Sequence, residues 1–401
     1  MLNLLQAHNQ WANRPADERF WTIKEAQEAT KNTRDKSYEL KADFANLRAE
    51  ALKSEILLRG ERRIGARMTH HSFGQLGSYA GAPPSYMRKL PATLATQCLN
   101  HGIKDFVSKT KAEGSTLSSE VSLLLYSEDG GKTDALIRAI TSTGYTRVWD
   151  HQVFESLLEF EGRGWKVPPA RPSGRDPRSR EATEEDVNRL VGTHGLSVAV
   201  GDLISPAGIY ASDHDMWCFM IDEDHPIDDG AGHRLGRGFF IWNNEVGQKQ
   251  LGGLGFLYSS VCGNHIVWDA QEVFEFGFNH VGKIHERFNE IRAKMVKRSN
   301  QEATPLENKI KEARKKVIGK DKTEVLEELS KLCRSKRIQL PTKTLSAGYD
   351  LAERFIDRYG APNTAWAFLN GLTQLSQQSR YADDRVAMDK AAGKVFATLM
   401  S

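Results

Sequence analysis

Along the chain, apolar and polar positions change period several times, and each change marks an element. Ile56, Leu57 and Leu58 cluster before Gly60, which predicts a short strand over 54–59. Thr69 is placed to cap a helix through Gln75, Leu76 and Tyr79, and Gly81-Ala-Pro-Pro84 ends it. Pro91 suits a first helical turn ahead of Leu94, Cys98 and Leu99, so residues 85–107 are expected to hold two short helices. Val121, Leu123, Leu124, Leu125 and Tyr126 predict a strand, with Asp129-Gly-Gly131 as the turn after it. From Lys132 to Phe160, the recurrence of Leu136, Ile137, Ile140, Val153, Leu157 and Leu158 predicts helix, interrupted around Thr143-Gly144-Tyr145.

Residues 197–268 carry the clearest pattern. Met216 to Ile221, Gly238 to Trp242 and Leu254 to Val261 read as strands, and Gly263-Asn264 reads as a two-residue turn into His265-Ile-Val-Trp268. That is an antiparallel meander. Phe274, Phe278, Val281, Ile284, Phe288, Ile291 and Met295 then recur at spacings of three and four, which predicts one helix over 270–298 lying across the strands. Thr304-Pro305 starts a further helix with a stripe of Leu306, Ile310, Ala313 and Val317, another begins near Thr323, and the remainder is helical. The expected class is therefore α+β: a central antiparallel β-meander, helices packed on one face, and a helical C-terminal region. The expected organisation is an N-terminal helical arm over 1–35, opened by the capping box Thr22-Ile-Lys-Glu25, then a core domain over 36–300, then a helical region over 301–401.

Composition narrows the function by exclusion. A chain of 401 residues can bury a core without staples, and Cys98, Cys218, Cys262 and Cys333 are too scattered for a zinc knuckle or a disulfide framework. Neither a secretion signal nor a membrane-length apolar run appears, so a soluble, cytoplasmic protein is expected. Lys plus Arg is 55 against 52 for Asp plus Glu, a net +3 that implies no anionic partner by itself. The distribution says more: residues 281–340 hold 17 Lys and Arg against 9 Asp and Glu. Residues 161–180, rich in Pro, Gly and Arg, have the composition of an exposed basic loop.

Several short stretches, in order, resemble a family of phage, prophage and plasmid proteins defined only as a domain of unknown function. They are Ser72-Phe-Gly-Gln-Leu76 with Gly81-Ala-Pro-Pro and Leu90-Pro91; Arg138-Ala-Ile-Thr-Ser142 with Tyr145 and Arg147; Gly236 to Asn244; Val261-Cys-Gly-Asn264; and Trp366-Ala-Phe-Leu-Asn370 with Leu372-Thr373. Ser259-Ser260 stand near where that family keeps an Arg, and Gly263-Asn264 inverts its usual order. The resemblance implies a mobile-element protein working on DNA, without supplying a reaction.

Candidate chemistry is sparse. The acidic cluster Asp213-His-Asp215, Asp222-Glu-Asp224-His225, Asp228-Asp229 and His233 offers oxygen and imidazole ligands, but its spacing fixes no metal geometry. Gly252-Gly-Leu-Gly255 and Gly232 to Gly238 lack the Gly-Lys-Ser or Gly-Lys-Thr of a phosphate loop, and no nucleophile elbow is present. Cations beside aromatics suit a single strand, whose phosphates and bases need both. Arg234, Arg237, Trp242 and Lys249 in the meander, with Arg163, Trp165, Lys166, Arg175 and Arg180 in the loop, are the expected contacts. Taken singly, each is as well explained as a core aromatic or a surface charge. The leading expectation is a non-enzymatic protein with no cofactor or metal, forming homo-oligomers and binding single-stranded DNA, with annealing in phage or plasmid recombination suggested by analogy of fold. The alternatives are a metal-dependent nuclease using the 213–233 cluster, or a protein-binding anti-defence factor.

Overall fold

A computed structural model describes residues 14–60, 65–129, 135–167, 176–190, 199–206, 208–232, 234–247, 249–259, 264–266, 275–299, 304–376, 378–379 and 382–401. It is α+β, with 47% of the described residues helical and 25% in strands. The first helix, α1 (Ile23–Asp35), is capped as its sequence predicts: the Thr22 hydroxyl accepts the Glu25 N–H at 3.1 Å, while the Glu25 carboxylate reaches back to the Trp21 N–H at 2.9 Å. Ile23 and Ala26 of α1 are fully buried and belong to a core shared with later elements.

A first sheet is built from β1 (Ser37–Asp43), β2 (Arg48–Leu52), β3 (Glu55–Arg59), β4 (Gly65–Met68), β5 (Glu120–Tyr126) and β6 (Leu136–Ser142), in the order β1-β5-β6-β4-β3-β2. Three helices cover it, α2 (His70–Tyr79), α3 (Pro84–Met87) and α4 (Ala92–Thr110). Thr69 caps α2 as expected. The second helix expected within 85–107 is long, not short, and a Cβ at its Gly102 would lie 1.9 Å from the Ala80 carbonyl, so only glycine lets the two helices meet there. The helix expected from Lys132 is corrected over 136–142, which form a strand. Ile137, Arg138, Ala139, Ile140 and Thr141 are all buried, because β6 sits between β5 and β4 with both faces covered. A strand buried on both faces loses its alternation and its apolar run mimics helix.

The second sheet contains the expected meander. It follows α5 (Asp150–Glu161), and comprises β7 (Trp165–Lys166), β10 (Ile209–Ala211), β11 (Met216–Asp228), β12 (Arg234–Asn243), β13 (Leu251–Ser259), β14 (Asn264–Ile266) and β15 (Glu275–Phe278). A separate small pair, β8 (Arg180–Glu181) and β9 (Leu203–Ile204), flanks α6 (Glu184–Leu190). The central strands run β10-β11-β12-β13-β14, all antiparallel, with β7 added to β11 and β15 to β13. Phe239 and Ile241 point into a core with Phe154 and Phe160 of α5, while Phe240 and Trp242 point to the opposite face with Trp217, Phe219 and Phe256.

Two expectations here are corrected. Ser259 pairs with Asn264, so Asn264 lies in the strand and not in a turn; Gly263 is outside the described residues. The helix expected over 270–298 begins only at α7 (Ile284–Ser299). Phe276 and Phe278 belong to β15, and the Phe276 ring lies on Gly253, where a Cβ would meet it at 2.4 Å. Gly282, at φ 62°, then breaks the chain direction. The spacing of three and four had merged a two-period strand with a true helical stripe. On α7, Ile284, Phe288 and Met295 are buried as expected, whereas Val281, ahead of it, is exposed.

The C-terminal region is helical, with α8 (Thr304–Lys315), α9 (Lys322–Ser335), α10 (Thr342–Arg354), α11 (Ile356–Tyr359), α12 (Ala365–Ser376) and α13 (Ala382–Met400). Its core of Ile310, Leu329, Leu345, Trp366, Phe368 and Phe396 continues into the second sheet through Ile227, Leu235 and Leu257. Among the described residues no helix is long and apolar enough to cross a membrane.

Candidate functional site

Of the nine expected contacts, those within the described residues do not share one surface. Arg163 is bound to Glu159 one helical turn back, at 3.1 Å. Trp165 is 5% exposed, with its ring against Phe160 and Phe239, so it presents no face for a base. Lys166 is half-buried on β7, and Arg175 lies outside the described residues. Arg180 grips Asp186 with both guanidinium nitrogens, at 2.6 and 3.0 Å, and lies over the Trp21 ring. The side chain of Arg234 is outside the described residues. Arg237 is half-buried opposite Asp222, and burial holds its pKa below the ordinary arginine value. Trp242 is half-buried, stacked on Trp217 with ring centres 5.3 Å apart; the Lys390 ammonium stands 5.8 Å from its ring and that of Lys249 5.9 Å from Trp217. Arg237 and Trp242 are five residues apart on one unbulged stretch of β12, which puts them on opposite faces of the sheet.

The acidic cluster is similarly divided. Asp215 and Asp222 are separated by seven residues of extended chain, about 23 Å. Asp215 accepts hydrogen bonds from Ser212 Oγ at 2.6 Å and from Arg14 Nη2 at 3.1 Å. Asp213 bonds His214 at 2.8 Å, which holds that carboxyl below its ordinary value and raises the imidazole. Asp222 is fully buried beside His225, and Asp229 is ion-paired to Arg314. Among the described residues, no three His, Cys, Asp or Glu side chains converge as metal ligands.

A cluster that the sequence did not reveal lies where the two sheets meet, and Gln75, Arg138, Tyr145, Arg147 and Asn244 all reach it. Arg138 of β6 is 3% exposed and donates to Glu245 Oε1 at 2.5 Å, to the Asp213 carbonyl at 3.2 Å and to Ser37 Oγ at 3.3 Å. The other Glu245 oxygen accepts the Asp150 N–H, at the start of α5, at 3.1 Å. Gln75 donates to the Val246 carbonyl and accepts from Ile140 N–H, both at 2.7 Å, and Tyr145 donates to the Asn244 carbonyl at 2.8 Å. Arg147 donates to the Glu245 carbonyl and, at 2.7 Å, to Glu39. A column of alternating guanidinium and ring runs from Arg34 over Trp149 to Arg147, Tyr145 and His280, with successive separations of 5.2, 5.5, 5.2 and 4.9 Å.

Burial, reinforced by Glu245, holds Asp150 well above the ordinary carboxylate range; Asn243 Nδ2 donates to Asp150 Oδ1 at 2.7 Å, and Asn243 Oδ1 is buried without a partner among the described residues. Burial pushes His280 down to about 4, and Nδ1 is held by the Thr146 carbonyl. Arg138, Arg147, Asp150, Asn243, Glu245 and His280 are buried, while Arg34 and Glu39 at the rim are exposed; a buried network of groups that bind one another suits a joint between sheets better than a reaction centre.

No family model, curated protein or solved structure matches the chain. The functional reading therefore rests on the geometry alone, and one run of open charge lies on α8 and the turn after it. Lys311, Lys315, Lys316 and Lys320 are exposed, and none has a carboxylate partner among the described residues. The turn that carries them is fixed: Ala365 N–H donates to the Lys316 carbonyl at 2.8 Å, Ile318 N–H to the Asn363 carbonyl at 2.9 Å, and Asn363 Nδ2 to the Gly319 carbonyl at 2.9 Å. Composition pointed to the basic segment, but only the structure distinguishes these lysines from Arg314 and Lys322, which are spent on Asp229 and Asp350.

Proposed function

We propose that the protein binds single-stranded nucleic acid without covalent catalysis, and that its setting is strand annealing in phage or plasmid DNA recombination, with self-association as part of that activity. The observation that supports this reading is the fixed turn at 315–320, where unpaired ammonium groups stand on an ordered backbone. Phosphates are bound by cations that are not already neutralised, and cations held in place lose little entropy on contact. Within the acidic cluster Asp213, Asp215, Asp222 and Asp229 are each paired with a different cation or imidazole, which favours binding over metal-assisted cleavage.

The test is fluorescence anisotropy with labelled oligothymidylate and a duplex of equal length, across a salt series. The parent should prefer the single strand. Each lost phosphate contact flattens the dependence of log affinity on log salt by about 0.7, so combining Lys315→Ala, Lys316→Ala and Lys320→Ala should flatten it by about 2. An unchanged affinity and slope in the triple variant would overturn the assignment of this surface, and absence of any binding by the parent would overturn the function.

A further inference from the structure

The two free edges of the first sheet are treated differently. At the β2 edge, Asn100 of α4 occupies both main-chain groups of Ala49: its Oδ1 accepts the Ala49 N–H and its Nδ2 donates to the Ala49 carbonyl, each at 2.8 Å. A side-chain amide there imitates a neighbouring strand and closes the edge. At the other edge, β1 pairs only with β5 among the described residues.

The register shows which β1 groups are left over. Lys36 faces Ser127 and Phe44 faces Ser119 on the β1–β5 register line, and both positions are hydrogen-bonded, through Ser127 N–H to the Lys36 carbonyl at 3.0 Å and Phe44 N–H to the Ser119 carbonyl at 2.9 Å. Hydrogen-bonded and non-bonded positions alternate in an antiparallel pair, so the even-numbered residues of β1 bond to β5 and the odd-numbered ones turn their N–H and C=O outward. Ser37, Glu39, Lys41 and Asp43 are therefore the outward residues, and neither the Lys41 nor the Asp43 main-chain N–H has a partner among the described residues.

A cavity of about 320 Å³ opens beside them. Leu40, Lys41, Ala42 and Asp43 of β1 all line it, and Leu58, Leu123 and Ile137 form an apolar floor. Its volume is about twice that of an apolar cavity known to hold a benzene ring, enough for one large aliphatic or aromatic side chain. Leu47 and Gly60 complete the lining, and a cavity of about 320 Å³ has room for a side chain of one added strand.

We infer that the β1 edge accepts an extended peptide from a partner protein, which adds one strand through the main-chain groups of Lys41 and Asp43 and places a large apolar side chain in the cavity. The occupant is defined by chemistry. Only an extended polypeptide offers alternating N–H and C=O at the spacing of the edge, and only an apolar side chain suits the floor. Edges left open at this length are a hazard that proteins ordinarily cover, as Asn100 does at β2.

The experiment uses the full chain and a set of acetylated, amidated pentapeptides, Thr-Val-X-Val-Thr, with Leu, Phe, Trp or Asp at X, followed by calorimetry and by amide hydrogen exchange over residues 37–43. Binding of at least one apolar member, at least tenfold tighter than the Asp member, with slowed exchange in 37–43, is expected. N-methylation of the peptide on its pairing edge should abolish binding. Lys41→Pro removes the outward N–H and should weaken binding at least tenfold, whereas Lys41→Ala, which keeps the main chain, should leave it unchanged. If Lys41→Pro fails to fold, the N-methylated peptide reports the same contact from the ligand's side. No binding by any member at millimolar concentration, equal binding by the N-methylated form, or protection of 37–43 in a peptide-free dimer would each overturn the inference.

Discussion

The Arg138–Glu245 pair is the most consequential single contact between the two sheets, and its removal has a definite cost. The side chains are 4% and 5% exposed, and the guanidinium is shared among Glu245, the Asp213 carbonyl and Ser37 Oγ. Arg138→Met preserves approximate length and apolar packing while removing every donor. It leaves the Glu245 carboxylate buried, next to Asp150, with only the Asp150 N–H as partner. An uncompensated buried charge of this kind costs about 3 to 5 kcal/mol. Adding Glu245→Met removes that charge and leaves a smaller penalty, chiefly the unfilled N-terminal N–H of α5, about 1 kcal/mol. The double variant should therefore be more stable than Arg138→Met alone by about 2 kcal/mol or more.

Urea unfolding at pH 7, followed by tryptophan fluorescence and far-ultraviolet circular dichroism, measures both variants, and agreement of the two probes checks that a single transition is being read. Two results would refute the reasoning. An Arg138→Met change within about 1 kcal/mol of the parent would mean that water reaches Glu245. A double variant no better than the sum of its singles would mean that the pair is not coupled.

His280, buried with its folded pKa near 4, is charged more readily in the unfolded chain; its contribution is present above about 6.5 and is lost as pH falls to 4, a loss of about 3 kcal/mol that His280→Gln should remove from a pH series of unfolding free energies. Phe288→Ala, at a site 6% exposed in the core under the second sheet, should cost roughly 3 to 5 kcal/mol by the same measurement. Trp242→Ala, at a half-buried ring resting on Gly252 and Trp217, should cost less, about 2 kcal/mol, and should leave the salt slope of nucleic-acid binding unaltered, since a ring carries no counterion-releasing charge.

What the sequence made legible follows from how each element is buried. The meander strands read clearly because helices cover one face and the other face has its own aromatic set, so Phe239 and Ile241 alternate with Phe240 and Trp242. Thr22 and Thr69 read clearly because a cap is local chemistry. The strand at 136–142 was illegible for the opposite reason: β6 is covered on both sides, and its apolar run carries no period to identify it. The joint around Arg138 and Glu245 was illegible on distance, since the partners are 107 positions apart and neither has a local motif. Trp165 looked like a loop residue among prolines and arginines, yet its two-residue pairing with β11 draws it into the core beside Phe239.

The division of labour between the two cation types carries the functional argument one step further. The cations drawn into the interior or held against carboxylates are mostly arginines: Arg19 with Asp176, Arg138 with Glu245, Arg147 with Glu39, Arg180 with Asp186 and Arg314 with Asp229. A planar guanidinium that meets a carboxylate with two nitrogens and stacks on a ring suits such places, whereas an ammonium is more strongly hydrated and stays in water. The four open cations around the turn at 315–320 are all lysines. A count of Lys plus Arg merges these two populations, which is why a net charge of +3 concealed both. The arginines of the expected binding surface belong in large part to the internal population, so a search for the phosphate path by arginine density leads to the joints of the fold. The path, if nucleic acid is the ligand, must instead follow the lysines, and its contacts are then point charges without the fork geometry that reads individual bases. Binding through this surface should accordingly be indifferent to base sequence, as an annealing protein requires; a strong preference among single strands of equal length and little secondary structure would contradict the lysine path directly.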